Sequence, residues 1–306
     1  MDGVMDGDGL KTFVAVHRAG GFSQAAGLLL RSQPAISRRI ALLEQELGAS
    51  LFDRSAGGAV LSQAGQVLLP YAERALAAIE DARGAVSALS TEAAGPVSLV
   101  VVGTLAGDRL TSALARFRRD HPRVDLTLRT ATSAEVSALV RGGEAHLGLR
   151  YHHDPSPDLD ARLVTMEPLV AVCASGHPLA GRSVATLADL RAERWLAFPD
   201  SGGRPEIAAS HIFAIFLTRG MGDVAWTAID SLTAQKRLAA AGFGLALMPR
   251  SDVDEELASG QLGVIAVGDL DAAQPVVAVV RRNGFLSRAA RTLLEDLSGG
   301  PRGPAA

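Results

Sequence analysis

Cysteine is almost missing from this chain: Cys173 is the single one in 306 residues. That excludes an intrachain disulfide framework and fits a reducing compartment. Cys173 sits in the apolar run LVAVCA and reads as a packed core thiol. Lysine is scarce as well, with only Lys11 and Lys236. No HExxH, GxSxG or P-loop pattern occurs, so the commonest metal, nucleophile and phosphate signatures are missing. No apolar run approaches the ~20 residues that a spanning helix needs. The start, MDGVMDGDG, lacks the charged-then-apolar layout of a signal peptide. These absences lead us to expect a cytoplasmic protein with no membrane partner, no cofactor and no metal, and a disordered lead over residues 1–8.

A surplus of positive charge is missing too. The formal net charge is -3, so the whole molecule is not a general nucleic-acid binder. Residues 8–66 carry six basic side chains against four acidic ones. Any DNA affinity must sum modest contacts, as an oligomer can. Two further patterns fall short of chemistry. Gly242-Phe-Gly244 has no third glycine and follows a helical pattern, so it reads as a turn into a strand rather than a dinucleotide site. His152-His153-Asp154 lies in a loop rich in Pro and Asp, and adjacent histidines rarely converge on one ion.

What the chain does have is concentrated in residues 20–65. Ser23 is placed to cap a short helix through Leu30, in which Ala25 and Ala26 permit a close crossing. Arg31 and Ser32 form the turn, Ser32 caps a second helix, and Pro34 falls in its first turn. That helix runs to Leu47 and stops at Gly48. Ile36, Ile40, Leu43 and Leu47, spaced 4, 3 and 4, define a buried face. Gln33, Pro34, Ser37, Arg38, Ala41 and Gln45 point the other way. Gln suits adenine and Arg suits guanine in a major groove. A short strand, a turn at Gly57 and Gly58, a second strand and a Ser62-capped helix follow. This is a winged helix-turn-helix, spanning 9–66 with its two-helix unit at about 22–41. Its expected DNA-contacting residues are Ser23, Arg31, Ser32, Gln33, Pro34, Ser37, Arg38 and Arg54.

Leu68, Ala72, Ala75, Ile79, Ala82, Val86 and Leu89 repeat at 4 and 3. They form a heptad seam on a linker helix within 67–92 and call for a partner helix. Packing against its own chain is the other way to cover that seam. TEAAGP then reads as a hinge. From Pro96 to residue 298 strands and helices alternate as in an open α/β sheet. One lobe takes 96–166 and 269–298, and the other 167–268. A flexible tail follows at 299–306. The two-crossover plan is that of periplasmic-type (type 2) solute-binding folds. A ligand there sits at strand carboxyl ends against helix N-termini, which favour an anion. The candidates are Thr104, Leu105, Thr132, Ser133, Ser201, Gly202, Thr227 and Ile229.

The strings AGGFSQAA, SQPAISRRIALLEQELGASLFDR and LSQAG closely resemble the LysR-type transcriptional regulators over residues 10 to about 90. The rest of the chain resembles them in architecture. Gly21 stands where a Ser is usual, Ser62 replaces Thr, and the wing tip SAGGAV lacks a common basic residue. The resemblance implies a homodimer or dimer of dimers on an interrupted inverted repeat of promoter DNA. It also implies antiparallel pairing of linker helices, a small effector whose binding alters DNA bending, and contact with RNA polymerase. The alternative is a solute-binding or enzymatic α/β protein with a vestigial helix-turn-helix.

Overall fold

The computed structural model describes residues 6–55, 58–90, 96–198, 207–229 and 231–299. Helix α1 spans Gly7–Ala19. Asp6 caps it by accepting from the Gly9 N–H at 2.8 Å, so the expected disordered lead does not reach residue 8. Gly20, at φ 73°, ends the helix. Helix α2 covers Phe22–Leu28 and α3 covers Gln33–Leu47. Ser23 lies inside the first turn of α2, where Gly21 holds the cap position, so the expected Ser23 cap is corrected. The helix also ends two residues before Leu30, which adopts φ 52° in the turn. Ser32 occupies the N-cap position of α3, although its side chain makes no capping hydrogen bond, and Gly48 turns left-handed after the helix. Ile36, Ile40 and Leu43 are buried, whereas Leu47 is 40% exposed. It sits in the last turn, beyond the reach of the helices that cover the others.

Strands β1 (Phe52–Ser55) and β2 (Gly58–Leu61) form the antiparallel wing. Gly65, in the first turn of the next helix, packs directly on the chain leading into β1. A Cβ there would lie 2.2 Å from the Leu51 carbonyl oxygen, so only glycine fits. The Phe52 ring meets Phe13 and Phe22 at 5.4 and 5.5 Å, closing a core with Val16, Ala25, Ile36 and Leu51.

Helix α4 runs Gln63–Ser90, with Ser62 accepting from the Gly65 N–H at 3.1 Å. Its seam does not behave as one stripe. Leu68, Ala72 and Ala75 pack into the core of the head. Assigning these three to a partner helix is therefore corrected, because α1 already covers them. Farther along, Ile79, Ala82 and Val86 remain exposed.

The C-terminal region is one continuous set of strands with two lobes. In chain order come β3 (Val97–Val102), α5 (Asp108–Asp120), β4 (Leu126–Ala131), α6 (Ser133–Arg141), β5 (Leu147–Tyr151) and β6 (Leu159–Ala174). Then follow β7 (Ser183–Val184), β8 (Trp195–Ala197), α7 (Ile207–Thr218), β9 (Trp226–Ala228), α8 (Leu232–Ala240) and β10 (Leu245–Pro249). The series ends with α9 (Asp254–Ala258), β11 (Leu262–Val267), β12 (Ala273–Arg281) and α10 (Arg288–Ser298). The first lobe has the order β4-β3-β5-β12-β6, and β10, β8 and β9 continue from β6 into the second. Long β6 pairs with β12 through Pro168 and with β10 from Leu169. The run VSLVVV buries both faces of β3. Val97, Leu99 and Val101 meet α5 and α10, and Val100 and Val102 meet α6. Such two-sided burial is what an uninterrupted apolar strand in a helix-covered sheet supports. Trp195, Phe216, Leu187 and Leu190 anchor the core of the second lobe. Cys173 lies in that core, fully buried, and burial pushes its thiol up.

Candidate functional site

The outward face of α3 is the first candidate surface. Gln33, Pro34, Arg38, Ala41 and Gln45 are exposed and Ser37 is half-buried. Gln33 Nε2 donates to Ser37 Oγ at 2.9 Å, which ties two candidate base-reading groups together. Arg38 makes no ion pair or hydrogen bond among the described residues. Its neighbours differ. Arg31 pairs with Asp8 at 3.0 Å, and Arg39 pairs with Asp6 and, at 3.3 Å, with Asp8. The arginines hold both carboxyls below the usual range, after the Gly9 backbone bond in the case of Asp6. Arg31 thus shares one face of its guanidinium with Asp8, and a phosphate binding there competes with that carboxylate. Ser23 and Ser32 are exposed beside this face. Arg54 lies in β1, opposite Ala59, with its side chain outside the described residues.

The second candidate surface lies where strands end. Gly103–Leu105 form a single helical turn after β3. Thr104 Oγ1 bonds the Tyr151 hydroxyl at 3.1 Å, joining the ends of β3 and β5. Leu105 packs inward on the core rather than offering a donor. Thr132 caps α6 with a full capping box. Its N–H and hydroxyl both donate to Glu135 Oε2 at 2.9 Å, and its hydroxyl accepts weakly from the Glu135 N–H. Ser133 is buried. The expectation of a free donor at Thr132 is thus corrected: α6 uses its N–H and hydroxyl for its own start. In the second lobe Thr227 lies within β9, paired opposite Leu196, rather than after the strand. Ile229 spends its N–H on the Ala197 carbonyl at 2.8 Å and its carbonyl on Gln235, so it too has no spare backbone donor. Ser201 and Gly202 lie outside the described residues.

Sequence reasoning missed the groups that do gather there. Arg150, fully buried on β5, donates to Ser137 of α6 at 2.6 Å and to Asp154 at 2.5 Å. Its Nη2 has no hydrogen-bond partner among the described residues. His152, at φ 57°, meets His211 of α7 in a tilted ring contact with centres 4.7 Å apart. The two rings come from different lobes. Burial, then His211, Arg150 and His153, push His152 down to about 4. Burial lowers His211 as well. The alternation of β5 placed Arg150 on an apolar strand, and only the fold shows which helix meets it.

A DNA-reading head joined to a two-lobed ligand-binding module defines a ligand-responsive transcriptional regulator. Residues 8–66 match the bacterial regulatory helix-turn-helix protein, lysR family, and residues 90–300 match the LysR substrate binding domain. The SDS degradation transcriptional activation protein of Pseudomonas sp. (strain ATCC 19151) is 32% identical, covering 93% of this chain and 90% of that protein. Among solved structures, the Corynebacterium glutamicum OxyR C206 mutant is 26% identical with a TM-score of 0.59, covering 97% of this chain and 93% of that one. Full-length BenM is 25% identical with a TM-score of 0.58, covering 96% and 95%. The chain belongs to the LysR family of transcriptional regulators. It is a DNA-binding regulator with an effector-binding domain.

Proposed function

We propose that the protein works in the cytoplasm as a homodimer or pair of dimers on an interrupted inverted repeat in promoter DNA. A small carboxylate closes the two lobes, re-spaces the DNA-binding heads, changes DNA bending and so alters the promoter's access to RNA polymerase. No cofactor takes part. The observation that carries the DNA half is the exposed face of α3, with Arg38 unengaged. The effector half is supported by the convergence of Arg150, His152 and His211 near the ends of β5 and α7. All three can carry positive charge, and among the described residues Asp154 is the one carboxylate that pairs with Arg150. An anion entering there gains a desolvated partner, and protonation of His152 rises with it.

Two experiments test this. A gel shift on DNA upstream of the protein's own coding region should show a discrete, salt-sensitive complex; no binding refutes the DNA reading. A thermal-shift screen of small carboxylates should find compounds that raise the melting temperature, since a ligand of the folded state stabilises it. If amines or neutral aromatics act and carboxylates do not, the anion assignment falls.

A further inference from the structure

The contacts at the far end of α6 join the sensor to the DNA-binding head within one chain. Arg18, in the last turn of α1, reaches across to the first lobe. Its Nη2 lies 3.0 Å from Glu73 Oε1 of α4 and donates to the Ala138 carbonyl of α6 at 3.4 Å. Its Nη1 pairs with Glu144, just past α6. Glu73 is only 7% exposed and is shared with Arg141 of α6 at 3.4 Å. One buried carboxylate of the linker helix thus holds one guanidinium from the head and one from the sensor. A second clasp lies alongside. Arg281 of β12 pairs with Asp81 of α4 and donates to the Val140 carbonyl at 3.2 Å. Two carbonyls at the negative end of α6 therefore receive arginines, as the helix dipole favours.

The backbone is shaped for this closeness. A Cβ on Gly142 would sit 2.6 Å from Arg18 Nη2. On Gly143, at φ +77°, it would sit 2.9 Å from the Ala77 Cα, and Ala77 is buried against it. The middle of α6 is tied to the effector region, where Ser137 accepts from Arg150, while Thr132 caps the start of the helix. Nine residues at ~1.5 Å rise make a rigid rod of roughly 14 Å.

We propose that α6 is a lever between two sites, tied at its middle to the effector cleft through Ser137 and Arg150, with its C-terminal end gripping the DNA-binding head through Arg18, Glu73 and Ala77. This rests on the effector reading above. Release costs Arg141 its buried partner Glu73, which stays with Arg18 in the head, so the grip opposes separation of the two parts. Because α1 also packs on α3, releasing Arg18 frees the orientation of the reading helix.

The test uses the full chain, spin-labelled through Glu46→Cys and Arg118→Cys, both exposed, and mixed with an excess of unlabelled chain so that only pairs within one chain are read. Buried Cys173 stays unlabelled. Without DNA, the parent should give one narrow distance, and Arg18→Met and Ala77→Leu should each broaden it. Ala77→Leu wedges the contact without touching a charge, so a charge artefact cannot explain agreement. Narrow distances in both variants overturn the grip. Coupling is read by amide exchange over residues 133–141 with and without the protein's own promoter DNA. Linkage is reciprocal, so DNA should change exchange by roughly five- to tenfold in the parent. That change should vanish in Arg18→Met, with DNA still bound. No change in the DNA-bound parent, or an equal change in the variant, overturns the lever. Failure of the parent to bind DNA refutes the functional reading instead, and the distance measurement still decides the grip.

Discussion

Replacing Arg38 with Ala isolates DNA recognition more cleanly than any other change in the head. The side chain is exposed and bonds to nothing among the described residues, so its loss should leave folding stability within about 0.5 kcal/mol. Everything the variant loses is then lost at the DNA. A bidentate contact to guanine contributes ~1–3 kcal/mol. A dimer presents Arg38 twice, giving about 2–6 kcal/mol, or a fall in affinity of roughly thirty- to twenty-thousandfold. Arg31→Ala provides the internal comparison. Its guanidinium already holds Asp8 at 3.0 Å, and a DNA phosphate competes with that exposed, solvent-screened pair. The net loss at Arg31 should be smaller and should not depend on base identity. Fluorescence anisotropy on promoter DNA, over a salt series and with each half-site base substituted, reads both variants. Unchanged affinity in Arg38→Ala refutes the assignment of α3 as the reading helix. Uniform weakening on all sequences, with a shallower salt slope, demotes Arg38 to a phosphate contact.

Ile79→Asp puts a charge on the exposed half of the α4 seam and should dissociate the oligomer at low concentration without unfolding the head; sedimentation that stays at the parent mass refutes the seam as the dimer contact. His152 is held at about 4, below its ordinary value of 6.5, so the unfolded chain binds its proton first and stability falls as pH drops from about 6.5 to 4. The loss approaches about 3 kcal/mol at pH 4, less what solvent screens at this half-buried site. His152→Asn, which tolerates the positive φ, should flatten that acid limb in melts across pH, and an unchanged slope refutes the assignment. Thr104→Val removes the donor to Tyr151 and should cut the response to whichever carboxylate stabilises the parent by ~1–2 kcal/mol, about tenfold in affinity, while DNA binding without effector is kept; an unaltered titration counts against Thr104.

The head was legible because its signals are local. A cap at Ser32, Pro34 in the first turn, Gly48 at the end and a 4-3 apolar spacing are all set within a few residues. Errors appeared where a neighbour decides. Ser23 resembles a cap in isolation, but the turn geometry gives that place to Gly21. Leu47 keeps the apolar period, yet nothing reaches it. The α4 seam has one periodicity and two fates, since spacing cannot say that α1 covers Ala72 and leaves Val86 bare. At the sensor, strand ends were placed correctly as regions, while individual donors were misjudged because Thr132 and Ile229 satisfy their own local bonds. Arg18, Glu73 and Glu144 come from three separate stretches of chain, and no pattern in sequence brings them together. Strands β7 and β11 were overlooked for the same reason: their pairing with each other and with β6 is long-range.

The position of β12 has a consequence for how the chain acquires its structure. It lies between β5 and β6, in the middle of the first lobe's sheet, yet it is the last strand to be made. During synthesis β3, β4 and β5 emerge early but cannot close their sheet until residues 273–281 arrive. The second lobe takes its remaining strands from the chain in between, so it can be complete while the first still waits with an open edge. That edge is a standing invitation to pair with another chain. Truncations that end before β12 should therefore aggregate from the first lobe, although they carry the whole DNA-binding head and nearly all of the second lobe.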